Sequence, residues 1–498
     1  MNANLYALFR GHFGERLEAP CVLLPDRLAI TYGELDASSA RLAHALLAAG
    51  ARPGDRVAVQ VEKCWEGLAL YLACLRAGLV YLPLNTAYQK SELGYFFGDA
   101  EPAIIVGRTD AAHLLAALRP QATVFSLNAG EGTLLDVAQG KSEIFDPVRN
   151  APDDLAAILY TSGTTGRAKG AMLSHRNLAS NALTLVERWA FTHDDVLLHA
   201  LPLYHVHGLF VACHCVLLSA ARMLWFPKFD ARAVFSALPR ATVMMGVPTF
   251  YSRLLAEQDF DADACRTIRL FVSGSAPLLP ATFEGFAQRT GHTILERYGM
   301  TETGMNTSNP LMGERRCGSV GLPLPGIQTR VVHASGELCA AGEVGSIQVK
   351  GPNVFSGYWR MPEKTAEEFT ADGFFKTGDM GETMPDGYIR IVGRAKDLII
   401  TGGLNVYPKE VEERIDALPG VVESAVIGVP DADFGEGVTA VIVATKDSSL
   451  TEAGVIAQLK SEIAGFKVPK RIHFVDALPR NAMGKVEKNA LRQRYAAA

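Results

Sequence analysis

Several absences narrow the field before any motif is read. The 498-residue chain has no dense lysine or arginine cluster and carries a formal net charge of −5. That balance argues against non-specific binding to nucleic acid. Its eight cysteines are scattered rather than paired, so no disulfide framework is expected and the compartment reads as reducing and cytoplasmic. No apolar run has the continuity of a membrane span. The nearest, Leu209–Phe226, is broken by His214 and Arg222 and followed by Pro227-Lys228, which fits a buried core helix and no membrane partner. The amino terminus lacks the long apolar stretch of a secretory signal. Cys213-His214-Cys215 lies near His199, His205 and His207, but apolar neighbours make these thiols small core residues, with no second cysteine pair for zinc.

What is present is an ordinary globular composition, 48% hydrophobic and 20% charged, long enough for about three domain-sized units. Strand-like runs (Arg56–Val61, Leu79–Leu84, Ala103–Val106, Ala157–Tyr160, Met244–Val247, Leu270–Ser273) alternate with helical stretches such as Glu66–Ala77. This alternation predicts an α/β fold with mostly parallel sheets. After Gly318 frequent Gly and Pro predict antiparallel structure, a distorted β-barrel. Beyond Asp397 helices (Lys409–Leu418, Glu452–Ile463) mix with strands (Ser424–Val429, Val438–Ala444, Arg471–Val475). The expected division is a large domain over residues 1–395 and a small mobile α+β domain over 396–498.

The most informative stretch is Thr161-Ser162-Gly163-Thr164-Thr165-Gly166-Arg167-Ala168-Lys169-Gly170, directly after an apolar run. Glycines allow close backbone approach, while hydroxyls, free N–H groups and cations suit a polyphosphate. The spacing is neither that of a Walker loop nor G-x-G-x-x-G. Downstream come Tyr298-Gly299-Met300-Thr301-Glu302, Thr377-Gly378-Asp379, Gly393-Arg394-Ala395-Lys396-Asp397 and Pro479-Arg480-Asn481-Ala482-Met483-Gly484-Lys485.

In this order, over about Leu28 to Lys488, these motifs resemble the adenylate-forming superfamily of acyl-CoA synthetases, peptide-synthetase adenylation domains and luciferases. The resemblance implies activation of a carboxylic acid by ATP and Mg²⁺, followed by transfer to coenzyme A. It implies that Thr161 to Gly166 and Lys169 hold phosphates, and that Ser275, Ala276, Pro277, Tyr298, Gly299 and Met300 wall the adenine. Asp379 and Arg394 would take the ribose, Thr301 the α-phosphate, and Glu302 with Thr161 the metal, since magnesium at phosphates takes one or two carboxylates. Lys485 and His205 are the expected catalytic partners, Lys396 the hinge, and Gly403 part of the loop lining the thiol's path. A lysine so placed is also a target for a lysine acetyltransferase, because acetylation removes its charge.

Pro202 to Phe210, Gly246 to Tyr251, Glu296 to Pro310 and Gly313 to Gly321 resemble malonyl-CoA synthetases. They imply a small dicarboxylic acid, malonate with methylmalonate as a second substrate. The unreacting carboxylate needs a fixed cation against desolvation, for which Arg315 or Arg316 is expected, with His207, Ser275 and Met305 lining the pocket. A ligase for another short acid, or a stand-alone adenylation enzyme loading a carrier protein, remains open on these residues.

Overall fold

A computed structural model describes residues 2–25, 28–161, 168–401, 404–431, 434–481 and 484–496. The first of its sheets runs, edge to edge, through Gly357–Tyr358, Lys169–Ser174, Leu155–Thr161, Val80–Pro83, Arg56–Gln60, Ile104–Gly107 and Thr123–Ser126. Its strands from Leu155–Thr161 to Thr123–Ser126 are parallel; Lys169–Ser174 turns back antiparallel on Leu155–Thr161. The second is longer: Leu322–Pro323, Gly304–Ser308, Leu295–Met300, Leu270–Ser273, Val243–Gly246, Val196–His199, Arg222–Trp225, Pro20–Leu23 and Ala29–Thr31. Its interior is parallel, with an antiparallel hairpin at each edge.

Helices Leu5–Phe13, Trp65–Arg76, His175–Arg188 and His214–Ser219 pack on one another within a single core shared by both sheets. Trp65–Arg76 is buried on every face from Glu66 to Arg76, as expected of a helix enclosed between layers. The expected helix over Leu209–Phe226 divides instead. A π-helical turn spans His207–Cys213, a short helix His214–Ser219, and Arg222–Trp225 is a strand. Ala220 adopts a left-handed conformation, φ 51°, which ends the helix and lets Arg222 enter the sheet.

The turn-rich region forms an open antiparallel sheet: Gln328–Val332, Gly345–Lys350, Phe375–Thr383 and Ile389–Arg394. No barrel closes among the described residues. The outer strand Ile389–Arg394 instead spends its free edge on Gly321, which caps it against further pairing. From Ile399 a fourth sheet begins, Leu404–Val406, Ile399–Thr401, Gly435–Ala444 and Val421–Asp431, joined by Arg471–Phe474. Helices Pro408–Asp416 and Glu452–Glu462 supply apolar residues to its separate core. No helix among the described residues is long and apolar enough to cross a membrane.

Parallel strands point their carboxyl ends the same way, and ligands in such sheets bind there. At the opposite, amino ends of the second sheet, Asp195 ties three strands together. It accepts from Arg269 Nε and Nη2, both at 2.7 Å, and from Thr242 Oγ1 at 2.7 Å, while Val196 N–H donates to Thr242 Oγ1 at 2.9 Å. Asp195→Ala leaves a partly buried guanidinium unpaired and should cost about 3 kcal/mol, the low end for such a pair because Arg269 keeps some water. Urea unfolding measures it; a loss below about 1 kcal/mol, typical of a surface pair, would refute this role.

Candidate functional site

At the carboxyl end of strand Leu270–Ser273 the chain turns through Ser275, a non-glycine residue at φ 73°. Strain of this kind persists only where surroundings enforce it. Ser275 Oγ lies 3.3 Å from His207 Nδ1, in the π-helical turn that follows Val196–His199, two strands away in the same sheet. His207 is 2% exposed and its Nε2 has no partner among the described residues. Burial, then the charge of Arg297, hold His207 well below its ordinary pKa, so its imidazole is neutral.

The next strand, Leu295–Met300, bulges between Tyr298 and Gly299 before turning back at Gly304–Ser308. A Cβ on Gly299 would lie 2.0 Å from the Gly304 carbonyl oxygen, so only glycine permits this closure. The turn buries Glu302, whose Oε1 accepts from Tyr358 Oη at 3.1 Å and lies 3.4 Å from Thr161 Oγ1. Burial raises the Glu302 pKa. Among the described residues the side chains that bond it are hydroxyls, with Arg394 and Lys169 acting only as nearby charges, so Glu302 and Thr161 fit a divalent cation. Lys169 stands close by, 3.6 Å from Glu368 and 4.1 Å above the Tyr358 ring.

Asp379 and Arg394 are register partners on adjacent strands. Arg394 Nε reaches Asp379 Oδ1 at 2.8 Å, Tyr298 Oη donates to Asp379 Oδ2, and Asp379 N–H donates to Thr377 Oγ1 at 3.1 Å. The expected ribose acceptor and adenine-stacking ring thus share one hydrogen bond.

Lys485 arrives from the carboxyl-terminal unit on a tight turn. Asn481 N–H donates to the Lys485 carbonyl at 2.9 Å, and Lys485 N–H returns to Asn481 Oδ1 at 3.0 Å. Gly484, at φ 72°, faces Thr249. By surface area Lys485 is exposed, yet enough protein surrounds it to lower its pKa. Burial is the leading cause, followed by the charge of Arg394, with Asp379 and Glu302 opposing. His205, its Nε2 buried and unpartnered among the described residues, is held to a pKa of about 3 by burial and by Lys485. The turn therefore gathers Lys485, His205, Glu302, Asp379 and Arg394 at one cleft.

Other expected residues fall differently. Arg315 is no free cation: its Nε, Nη1 and Nη2 donate to the carbonyls of Pro310 at 3.2 Å, Thr293 at 2.5 Å and Leu311 at 2.8 Å. Arg316 is paired with Glu314 at 2.9 Å and with Asp386, over the Tyr388 ring. Both arginines hold loops, which corrects the expectation that one of them waits for a carboxylate. Met305 is buried, its Cε against Gly299. Ala276 is half-buried and Pro277 exposed. Lys396 lies exposed in the short turn Ala395–Asp397, beside an Asp397–Arg492 ion pair of 2.7 Å. Ser162, Gly163, Thr164, Thr165, Gly166 and Gly403 lie outside the described residues.

The residue missed is Arg297. It is 3% exposed, and its Nε and Nη2 have no partner among the described residues. Burial lowers its pKa to about 10, which leaves it charged at neutral pH. It packs so closely under Gly274 that a Cβ there would lie 2.5 Å from Cζ. Its sequence signal was a cation inside a strand, one residue before Tyr298, where a buried ion needs a partner.

This geometry agrees with known proteins. Residues 13–359 match the family model of the AMP-binding enzyme, and residues 410–485 that of the AMP-binding enzyme C-terminal domain. The chain belongs to the AMP-binding enzyme family. Among solved relatives of this AMP-binding enzyme, ATP-bound MatB from Rhodopseudomonas palustris is 55% identical, with TM-score 0.98 over 100% of this chain and 99% of that one. The apo form of MatB, also 55% identical with the same coverage, superposes with TM-score 0.87. A feruloyl-CoA synthase from Amycolatopsis sp. is 38% identical over 94% of each chain. The mitochondrial malonate–CoA ligase ACSF3 of Homo sapiens is 36% identical over 97% of this chain and 90% of its own.

Two titrations should bound the activity of this AMP-binding enzyme. If Glu302 acts ionised, its raised pKa means kcat/KM should rise with pH through a value above that of an ordinary carboxylate. If Lys485 acts protonated, its lowered pKa means kcat/KM should fall again at a pH below that of an ordinary lysine. Lys485→Arg should move the alkaline limb upward in a pH profile of acid activation; an unmoved limb would assign it to another group.

Proposed function

We propose that this chain ligates malonate, and methylmalonate as a second acid, to coenzyme A through an acyl-AMP intermediate. The observation that carries the reading is the acid pocket: a buried Arg297 whose Nε and Nη2 have no partner among the described residues, beside the Ser275–His207 pair. A guanidinium out of water calls for an anion, and a carboxylate takes it bidentately. Malonate–CoA ligases among the relatives support this. Family likeness alone does not choose the acid, because a feruloyl-CoA synthase is about equally similar.

In the first half-reaction one malonate carboxylate oxygen attacks the α-phosphorus and pyrophosphate leaves. Lys485 would lie between that carboxylate and the α-phosphate, Thr301 would bond the α-phosphate, and Lys169 would meet the departing phosphates. Mg²⁺ held by Glu302 and Thr161 would supply charge neutralisation there. Asp379 would accept from the ribose hydroxyls, oriented by Arg394, while Tyr298 and the Ser275–Pro277 segment would enclose the adenine. In the second half-reaction the thiol sulfur of coenzyme A attacks the acyl carbon and AMP departs with the bonding pair. Between the two, the unit beyond residue 395 would turn about Lys396. The superposition on ATP-bound MatB, better than on apo MatB, supports reading the present arrangement as the first of these states.

A panel of acids in ATP–pyrophosphate exchange, with and without coenzyme A, tests the proposal. Malonate should drive exchange and coenzyme A should be needed for turnover; preference for ferulate, or release of ADP, would sink it. Arg297→Met should raise the barrier with malonate by about 2–5 kcal/mol, the cost of stranding a buried charge, and spare a monocarboxylate such as propionate. Equal losses with both acids would make Arg297 structural.

Lys485→Ala should separate the half-reactions. Activation of malonate should slow by roughly a hundredfold or more, while synthetic malonyl-AMP and coenzyme A should still give thioester at near wild-type rate. Comparable loss in both assays would contradict a turn of the small unit between them.

A further inference from the structure

One buried polar chain is not used by this chemistry, and it bridges the two large sheets. Lys63 follows strand Arg56–Gln60 of the first sheet, and His199 ends strand Val196–His199 of the second. Lys63 Nζ lies 2.7 Å from His199 Nδ1 and 2.8 Å from the His199 carbonyl oxygen. It also sits 4.4 Å from the centre of the Trp225 ring. On its other side the imidazole reaches the Gly208 carbonyl oxygen from Nε2 at 2.9 Å, with Cys213 Sγ at 3.3 Å. A cleft of about 250 Å³ borders Lys63, yet burial lowers its pKa well below that of an ordinary lysine.

The donor count then settles the tautomer. A carbonyl oxygen can only accept, so His199 Nε2 carries the proton it shares with Gly208. Nδ1 of the neutral ring is then left to accept from Lys63. Gly208 lies in the π-helical turn His207–Cys213, a geometry that frees carbonyls from regular helical bonding and recurs at functional sites. The turn is pressed against the preceding loop: a Cβ on Gly208 would lie 2.0 Å from the Pro202 carbonyl oxygen. His207, the residue before Gly208, is gripped on one side by Ser275 Oγ at 3.3 Å and presents a buried, unpartnered Nε2 on the other.

We infer that Lys63 is a positioning residue for acid recognition, which acts through His199 to lock the turn at Gly208 and so aims His207 at the substrate carboxylate that is not activated. The inference rests on the dicarboxylate reading above. The chain Lys63–His199–Gly208–His207 thus crosses from one sheet to the other.

Steady-state kinetics on the full chain test it with Lys63→Met, His199→Leu and His199→Gln. Glutamine can accept from Lys63 and donate to Gly208, so it should keep the relay, whereas the other two break it. Lys63→Met and His199→Leu should raise the KM for malonate on the order of tenfold, as loss of an orienting partner does at comparable sites. The KM for ATP and kcat at saturating malonate should hold, and His199→Gln should stay near wild type. An unchanged malonate KM in both broken variants would overturn the relay, as would parallel losses in kcat and thermal stability with every acid. Wild-type protein that fails to use malonate at all would overturn the acid assignment and the relay with it. Nitrogen NMR of the wild-type histidines requires no variant: His199 should be neutral with its proton on Nε2 around neutral pH, and a proton on Nδ1 would refute the relay.

Discussion

Positive charge held out of water organises this molecule. Arg297 lies under a glycine that leaves no room for a side chain, with guanidinium nitrogens that no described residue answers. Lys485 is brought to the same cleft and lowered by its surroundings, Arg394 among them. Concentrating cations in this way is destabilising unless anions arrive. The fold supports the cost elsewhere, in the core shared by two parallel sheets and in strand ties such as Asp195 with Arg269. The cleft is thereby complementary to a substrate set that is itself rich in negative charge, and such preorganised charge acts most strongly where water is excluded.

The parallel sheets explain why residues far apart in sequence meet. His199, Gly246, Ser273 and Met300 end strands or lie at the carboxyl ends of one sheet, and Thr161 ends a strand of the other. Loops that leave those ends carry the candidate site: the π-helical turn with His207, the strained Ser275, the bulged hairpin with Glu302. The hairpin needs Gly299, and the turn needs Gly208, because backbone atoms from neighbouring segments occupy the space a side chain would take. Function here sits on loops whose freedom has been removed by close backbone approach.

Much of this was legible in the residues. Alternating apolar runs gave the parallel sheets and the separate carboxyl-terminal α+β unit, because a strand buried on both faces must be continuously apolar. The ordered motifs named Glu302, Asp379, Arg394 and Lys485, which act on one another electrostatically in the structure. What failed was anything decided by three-dimensional competition for partners. Arg315 looked available because a sequence does not show that three carbonyls would surround it, and Arg297 was hidden inside a motif read for Tyr298 and Glu302. The helix expected over Leu209–Phe226 broke at Ala220, where local apolarity says nothing of a left-handed residue. A barrel was expected from turn density, but strand Ile389–Arg394 found Gly321 at its edge first.

The charge balance also supplies a reason for the small unit to move. Lys485 forms no ion pair with any described residue, and two of the groups that depress its pKa, Arg394 and Arg297, are cations. Its place in the cleft is therefore unfavourable in itself and becomes favourable when phosphates and a carboxylate fill the space between those cations. Departure of pyrophosphate removes most of that negative charge while acyl-AMP retains one phosphate. On the proposed mechanism the attraction holding Lys485 would fall at that step. Lys396 lies exposed in a short turn where the chain leaves the third sheet for the fourth, so rotation there breaks little packing. If Lys485 acts as proposed, ordering the half-reactions would need no separate signal, because the first step would remove the anions that hold this lysine in place.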